Sequence, residues 1–342
     1  MQMRSLGKLQ VPVSPIMLGG NVFGWTIDEQ QSFRILDRFV ERGFNFIDTA
    51  DVYSRWAPGN QGGESETILG KWFKQSGKRD QVVLATKVGM EMGEGKKGLS
   101  AKYIREAVEA SLRRLQTDHI DLYQTHQDDK DTPLEETVRT LDALVHEGKV
   151  RMVGASNYDG RRLRAAIEVA RNAGWESYQT LQPNYNLYTR EQYETDLAPV
   201  VAEYSLGVVP YFSLAAGFLT GKYKSADDAK GVKREGTVSK YFDDRGMKIL
   251  DALRKVSDEA GASMASVALA WLLSRPNVLA PIASATKEEH LEDLFRAAEL
   301  ELSAEQQDAL SAASAYEKKA EEPAMAGALP GALPGEGDRS SR

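Results

Sequence analysis

The feature that most limits how this chain can fold is an alternation, repeated along its length, of short apolar runs with longer amphipathic ones. The short runs, at 16–20, 44–48, 82–87, 120–125, 150–156, 180–182, 207–211 and 278–282, carry the aliphatic and β-branched residues that suit buried strands. Between them lie stretches whose apolar residues recur every three or four positions, as in DEQQSFRILDRFVERG, SAKYIREAVEASLRRL and DGRRLRAAIEVARNAG, the pattern of helices with one buried stripe. Several close on glycine, a helix stop signal, while Ser100 and Thr132, the latter followed by Pro133, read as helix starts. Repeated βα order predicts a parallel sheet. Eight such units predict an α/β protein closed into a (β/α)8 TIM barrel rather than an open doubly wound sheet.

A chain of 342 residues, 42% of them hydrophobic, can bury a large core, and barrels of this kind run to such a length as one domain. One domain over residues 1–316 is therefore expected, ending in a helical SAEQQDALSAASAY segment packed on the barrel. Residues 317–342 repeat ALPG in tandem and hold little that could enter a core, so they read as a flexible tail or an oligomer contact. The connection at 215–244 is long, charged and glycine-bearing. Its place after the seventh strand makes it a loop over the site.

The net charge of −7 provides no whole-chain drive toward nucleic acid or an anionic membrane. The chain has no cysteine, which excludes disulfides, thiolate catalysis and cysteine-bound zinc. The opening MQMRSLGKLQVPVSPIML lacks the unbroken apolar region of a secretory signal, and no later run is long enough to span a bilayer, so a cytoplasmic protein is expected.

In a parallel barrel the C-terminal strand ends share one face, where side chains distant in sequence can meet. Asp48, Tyr53, Lys87 and His126 lie at or just beyond such ends. A phenol is a poor acid at neutral pH, but a nearby ammonium favours its ionised form, and Lys87 can act in this way on Tyr53. A buried ammonium needs an anion, which Asp48 supplies, and an imidazole at His126 can hydrogen-bond a substrate oxygen. The set suits proton exchange at a carbonyl or alcohol. Taken singly, these residues read as a salt bridge, a packed ring and a satisfied core histidine. Together, at successive strand ends, they read as a site.

At these residues the chain resembles the aldo-keto reductase family. The resemblance runs from Arg4 to about Ala315 and rests on DTADVY with GGESE after it, LATKVG, DLYQTHQDD, GKVRMVGASN, QPNYN and VVPYFSLAAGFLTGKY. It implies a small hairpin beneath the barrel, Tyr53 as general acid, Lys87 and Asp48 tuning it, and His126 orienting a carbonyl beside a nicotinamide cofactor. It also implies that Ser156, Asn157 and Gln182 hold the carboxamide, that Tyr211 stacks on the nicotinamide ring, and that Ser213 and Leu214 belong to the cofactor site. After the eighth strand, Ser284 and Thr286 fall near a helix N-terminus suited to phosphate, with Lys287 and Asp293 as further cofactor contacts.

In this last stretch the chain departs from the family. Ala283 aligns with a phosphate-binding Lys of some members, Glu289 with a common Arg and Asp293 with the usual Asn. NADP(H) is therefore the family default and NAD(H) its rival, with Lys287 supplying the missing charge. Phe23, Trp25 and Trp56 suggest an aromatic substrate pocket, and Arg55 and Asp128 add polarity that would suit a hydroxylated aldehyde, a ketone or a sugar-like molecule. The expected partner is a small carbonyl or alcohol, with neither nucleic acid nor membrane, and the oligomeric state is open.

Three other readings compete. Residues 93–98 match GxGxxG after a strand and before a helix, but they stand in the third βα unit with two lysines and read as a surface connection. The four histidines show no metal-binding pairing, so no metal is expected, and Ser156 lacks the GxSxG elbow of a serine hydrolase. A regulatory subunit resembling the β-subunits of potassium channels, which share the barrel and bind nicotinamide cofactor, is the main alternative to an enzyme.

Overall fold

The computed structural model describes residues 1–230 and 235–317. The tail expected at 317–342 lies outside the described residues except for its first position, as do positions 231–234 of the long connection. The chain opens with a hairpin of β1 (Arg4–Leu6) and β2 (Val11–Val13), antiparallel, with Arg4 opposite Val13. Eight parallel strands follow: β3 (Met17–Gly19), β4 (Phe46–Asp48), β5 (Val83–Val88), β6 (Ile120–Thr125), β7 (Val150–Ser156), β8 (Thr180–Gln182), β9 (Gly207–Val208) and β10 (Ile282–Ala283). Their order is β10, then β3 through β9. The sheet curls so that its ends meet, with Leu279 N–H donating to Val208 O (2.7 Å) and Ile282 N–H to Pro210 O (2.9 Å).

The barrel expected from the alternation is thus the observed fold. Strands at 120–125, 150–156 and 180–182 coincide with the expected ones. The seventh and eighth differ for a common reason. Pro210 and Pro281 have no N–H to give to a ladder, so β9 stops at Val208 and the eighth strand is confined to Ile282–Ala283, with Val278 making only an isolated bridge to Val208.

The helices are α1 (Glu29–Glu41), α2 (Glu64–Ser76), α3 (Ala101–Leu115), α4 (Leu134–His146), α5 (Gly160–Asn172), α6 (Ala198–Tyr204), α7 (Glu235–Val238), α8 (Asp244–Ala260), α9 (Met264–Leu273), α10 (Glu288–Glu299) and α11 (Ala304–Ala313). Side-chain caps start several of them. Asp28 accepts from Gln31 N–H, Ser100 from Tyr103 N–H and Asp159 from Arg162 N–H, each satisfying an amide that the helix itself cannot. Thr132 does not cap α4, contrary to expectation; its hydroxyl donates to Asp129 (2.7 Å) and Pro133 takes the cap position. The GxGxxG segment forms a tight turn, with Lys96 N–H donating to Gly93 O (3.0 Å), in the connection between β5 and α3. The expected C-terminal helix is α11, held by Arg190, which donates to Ser311 O and Ser314 Oγ (both 2.8 Å).

Two apolar layers follow from the strand period. One set of side chains, including Met17, Phe46, Ala85, Leu122, Met152 and Val209, fills the barrel interior, and Leu6 and Val13 of the hairpin join it. The other set packs between strands and helices. The second layer is tight where α2 meets the end of α3: a Cβ on Gly70 would lie 2.0 Å from the Arg114 carbonyl oxygen. Gly70→Ala is therefore expected to destabilise the fold by about 2 kcal/mol, although alanine is the better helix former by about 1 kcal/mol. Urea unfolding checks this, and an unchanged or raised midpoint would contradict the close approach.

Candidate active site

Each of the four strand-end residues has a place dictated by its strand. Asp48 ends β4 pointing inward, and the DTADVY turn then brings Tyr53 back over it. Lys87 is the penultimate residue of β5, and His126 follows β6, its N–H donating to Val88 O (2.8 Å). At the centre is Lys87, fully buried, whose Nζ donates to the Asp48 carboxylate (2.7 Å), to Thr49 O (2.8 Å) and to Tyr53 Oη (2.8 Å). Those three bonds use all the donors of an ammonium. The Tyr53 hydroxyl donates to Asp48 (3.0 Å), whose other oxygen accepts from Gln182 Nε2 (3.0 Å).

The electrostatics differ in one respect from the sequence expectation. Burial, and then the Asp48 charge and hydrogen bond, push the Tyr53 phenol well above its ordinary value, so the protein's own groups hold it neutral. The Lys87 ammonium, although bonded to the phenol oxygen, does not produce a phenolate. Burial lowers the Lys87 ammonium, and Asp48 opposes that shift. His126 is pushed well below its ordinary value by burial and by the Lys87 charge, so it is a neutral imidazole at pH 7. Its Nδ1 is buried without a hydrogen-bond partner, which leaves Nε2 as the nitrogen able to meet a ligand.

A cavity of about 990 Å³ opens on this cluster, at the upper end of the range for small-molecule sites. Ser156, Asn157, Gln182, Tyr211, Ser213, Leu214, Ser284, Thr286 and Asp293 line it, as expected, together with Asp48, Tyr53, His126 and Trp56. Their polar groups form a connected shelf. Ser156 Oγ donates to Gln182 O (2.8 Å), Asn157 Nδ2 to His126 O (2.8 Å) and Tyr211 Oη to Asn157 Oδ1 (2.8 Å), which fixes the tyrosine ring at the cavity wall. The connection at 215–244 contributes Ala216, Gly217, Thr220, Lys222 and Tyr223 to the lining, in short helical turns rather than an extended loop. Gly217 has φ +96°, and a Cβ there would lie 3.1 Å from Lys222 Nζ.

Besides Lys87, which is fully buried behind the cavity wall, five expected residues are not in the lining. Phe23 is fully buried; Trp25 packs edge-on against Trp56 with ring centroids 5.5 Å apart; Arg55 faces Glu91 at 3.8 Å. Asp128 is held by Arg162 through two 2.8 Å bonds, and its polarity is spent there. Lys287 occupies the N-cap position of α10 and, like Glu289, lies off the cavity, because the helical period presents His290, Asp293 and Leu294 instead. Lys222, a cation, and His290, which burial and the Lys222 charge hold as a neutral imidazole, are therefore the lining residues that sequence reasoning missed. Lys222 lay within the quoted GFLTGKY motif, and helix phase alone would have exposed His290.

The fold is a TIM barrel, with a buried Asp48–Lys87–Tyr53 cluster and His126 at its mouth. The chain belongs to the aldo/keto reductase family, whose model matches residues 15–315. It is 37% identical to an uncharacterized oxidoreductase, YrpG, of Bacillus subtilis (strain 168), over 89% of this chain and 93% of that one. It is also 35% identical to the aldo-keto reductase YhdN of the same organism, over 81% of each chain. A probable voltage-gated potassium channel subunit beta of Arabidopsis thaliana is 31% identical, over 88% of this chain and 92% of the relative.

Asp48→Asn would leave the Lys87 ammonium buried without its counter-charge. The substitution is expected to cost about 3–5 kcal/mol in stability. A loss below 1 kcal/mol in chemical denaturation would mean that the pair contributes little to the fold.

Proposed function

We propose that the protein is a cytoplasmic NADP(H)-dependent oxidoreductase that interconverts aldehydes or ketones with alcohols. The observation that carries this reading is the buried Lys87, which donates at once to Asp48 and to the Tyr53 oxygen beside a neutral His126. A bound nicotinamide would supply or accept the hydride. Ser156, Asn157 and Gln182 offer amide and hydroxyl groups for its carboxamide, and the Tyr211 face would set which side of the ring meets the substrate. His126 Nε2 orients the carbonyl oxygen. The Tyr53 hydroxyl, turned from Asp48 toward that oxygen, gives it a proton, and Lys87 steadies the negative charge left on the phenol. In the alcohol direction the same groups accept the proton.

The cavity lining includes Val52, Trp56, Met90, His126, Gln127 and Phe212, which carry no formal charge once His126 is neutral, with the Trp56 and His126 rings beside Tyr53. Apart from Asp48, the charged lining residues come from the 215–244 connection and α10. This favours an uncharged carbonyl with apolar bulk over a sugar-like substrate. Lys222 suits a 2′-phosphate, to which the neutral His290 can add only a hydrogen bond, while Asp293 tempers that preference and keeps NAD(H) as a usable cofactor.

Tyr53→Phe is expected to lower kcat by about a thousandfold while leaving the NADPH Kd within about threefold. Stopped-flow turnover and fluorescence titration separate the two effects; lost binding with kcat unchanged would contradict the role. Lys222→Ala is expected to raise the Kd for NADPH about tenfold and that for NADH less than threefold, the loss of one charge-assisted contact. Equal effects on both would remove Lys222 from phosphate recognition.

A regulatory subunit is the second reading, favoured by the match to a probable channel subunit beta over nearly the whole chain. Repeated turnover by the isolated protein separates the two readings in favour of the enzyme. A single turnover with retained cofactor favours the subunit.

A further inference from the structure

Behind the tetrad lies a carboxyl group that the mechanism above does not use. Asp51 is 1% exposed, and neither of its carboxyl oxygens has a hydrogen-bond partner. The Val52 amide lies near enough to favour the charged form without meeting hydrogen-bond geometry. The residue sits in the turn between Asp48 and Tyr53, and its N–H donates to Lys87 O (3.3 Å), which ties it to β5. The charged and titratable groups acting on it come from every neighbouring element: Glu66 of α2, Arg114 and Tyr103 of α3, Lys87 of β5 and Tyr123 of β6.

These neighbours do not neutralise it. Glu66 keeps Arg114 for itself, accepting from Arg114 Nε (2.7 Å) and from Thr86 Oγ1 (2.5 Å). All three Lys87 donors are used elsewhere, and the Tyr123 hydroxyl, also buried, is likewise without a partner. An ionised carboxylate with no donor in the interior is costly, so the group keeps its proton at neutral pH. Burial first, then the Glu66 charge, push Asp51 up to about 8, against Arg114 and Lys87.

We propose that Asp51 is a positioning residue acting through Lys87: it is a neutral acid while the tetrad works, and its ionisation places a second negative charge behind the ammonium and slows proton transfer at Tyr53. The charge holds the Lys87 proton more firmly and opposes negative charge on the phenol, so both reaction directions weaken. The proton released passes to solvent, and no other group changes. The effect on rate rests on the acid–base reading of the tetrad given above; the protonation state of Asp51 does not.

Two measurements test it. Infrared difference spectra of the unmodified full chain should show one carboxylic-acid C=O band at pH 7 that titrates away near pH 8. The pH profile of kcat/KM for carbonyl reduction should have an alkaline limb with its midpoint in the same range. In Asp51→Asn both the band and that limb should be lost. Should that variant fail to fold, Glu66→Gln removes the charge that raises Asp51, and band and limb should move together to lower pH. Absence of the band in the unmodified protein overturns the proposal, as does a limb unmoved by either folded variant. The infrared result stands even if Tyr53→Phe proves active, so failure of the tetrad reading and failure of this one are distinguishable.

Discussion

The structure depends on a lysine ammonium buried in the mouth of a barrel. Removing such a charge from water is expensive, and only a full set of acceptors makes it tolerable. Asp48, Thr49 O and Tyr53 provide that set for Lys87, and each comes from the strand end or turn that must lie beside β5 for the bonds to form. The register of β4 on β5, with Asp48 opposite Ala85, is therefore also the geometry of the site. Gln182 reaches the same Asp48 carboxylate from β8, across the barrel, so one carboxylate joins the buried lysine cluster to the polar shelf of Ser156, Asn157 and Tyr211.

Much of this was legible in the sequence because two simple periods carry it. Strand runs and helical stripes were separable by period, and parallel order put their C-terminal ends on one face. Asp48, Tyr53, Lys87 and His126 converge because each lies within a residue of its strand's C-terminal end or one short turn beyond it. What was missed depends on detail finer than a period. The two prolines in the closing strands shorten them.

The far end of the cavity shows the same limit. The family resemblance pointed to Lys287, Glu289 and Asp293, and of these Asp293 lines the cavity; a one-residue step on a helix turns a side chain by about 100°, so His290 faces it where Glu289 does not. Asp128 and Arg55 illustrate another: a charged residue beside a site in sequence can be committed to an ion pair, as these are with Arg162 and Glu91. Their withdrawal leaves the Trp56 and His126 rings beside Tyr53. Burial likewise decides the sign of the tyrosine's shift, which pairwise reasoning from Lys87 alone had reversed.

The central claim is that this tetrad handles the proton while a hydride moves directly between cofactor and carbonyl carbon. The most direct test is reduction of an aromatic aldehyde by the purified chain with NADPH deuterated at the transferable position, followed by mass spectrometry of the alcohol. One deuterium on the carbinol carbon per turnover is the predicted result. Alcohol formed without the label, or no alcohol although NADPH is bound, would contradict the account.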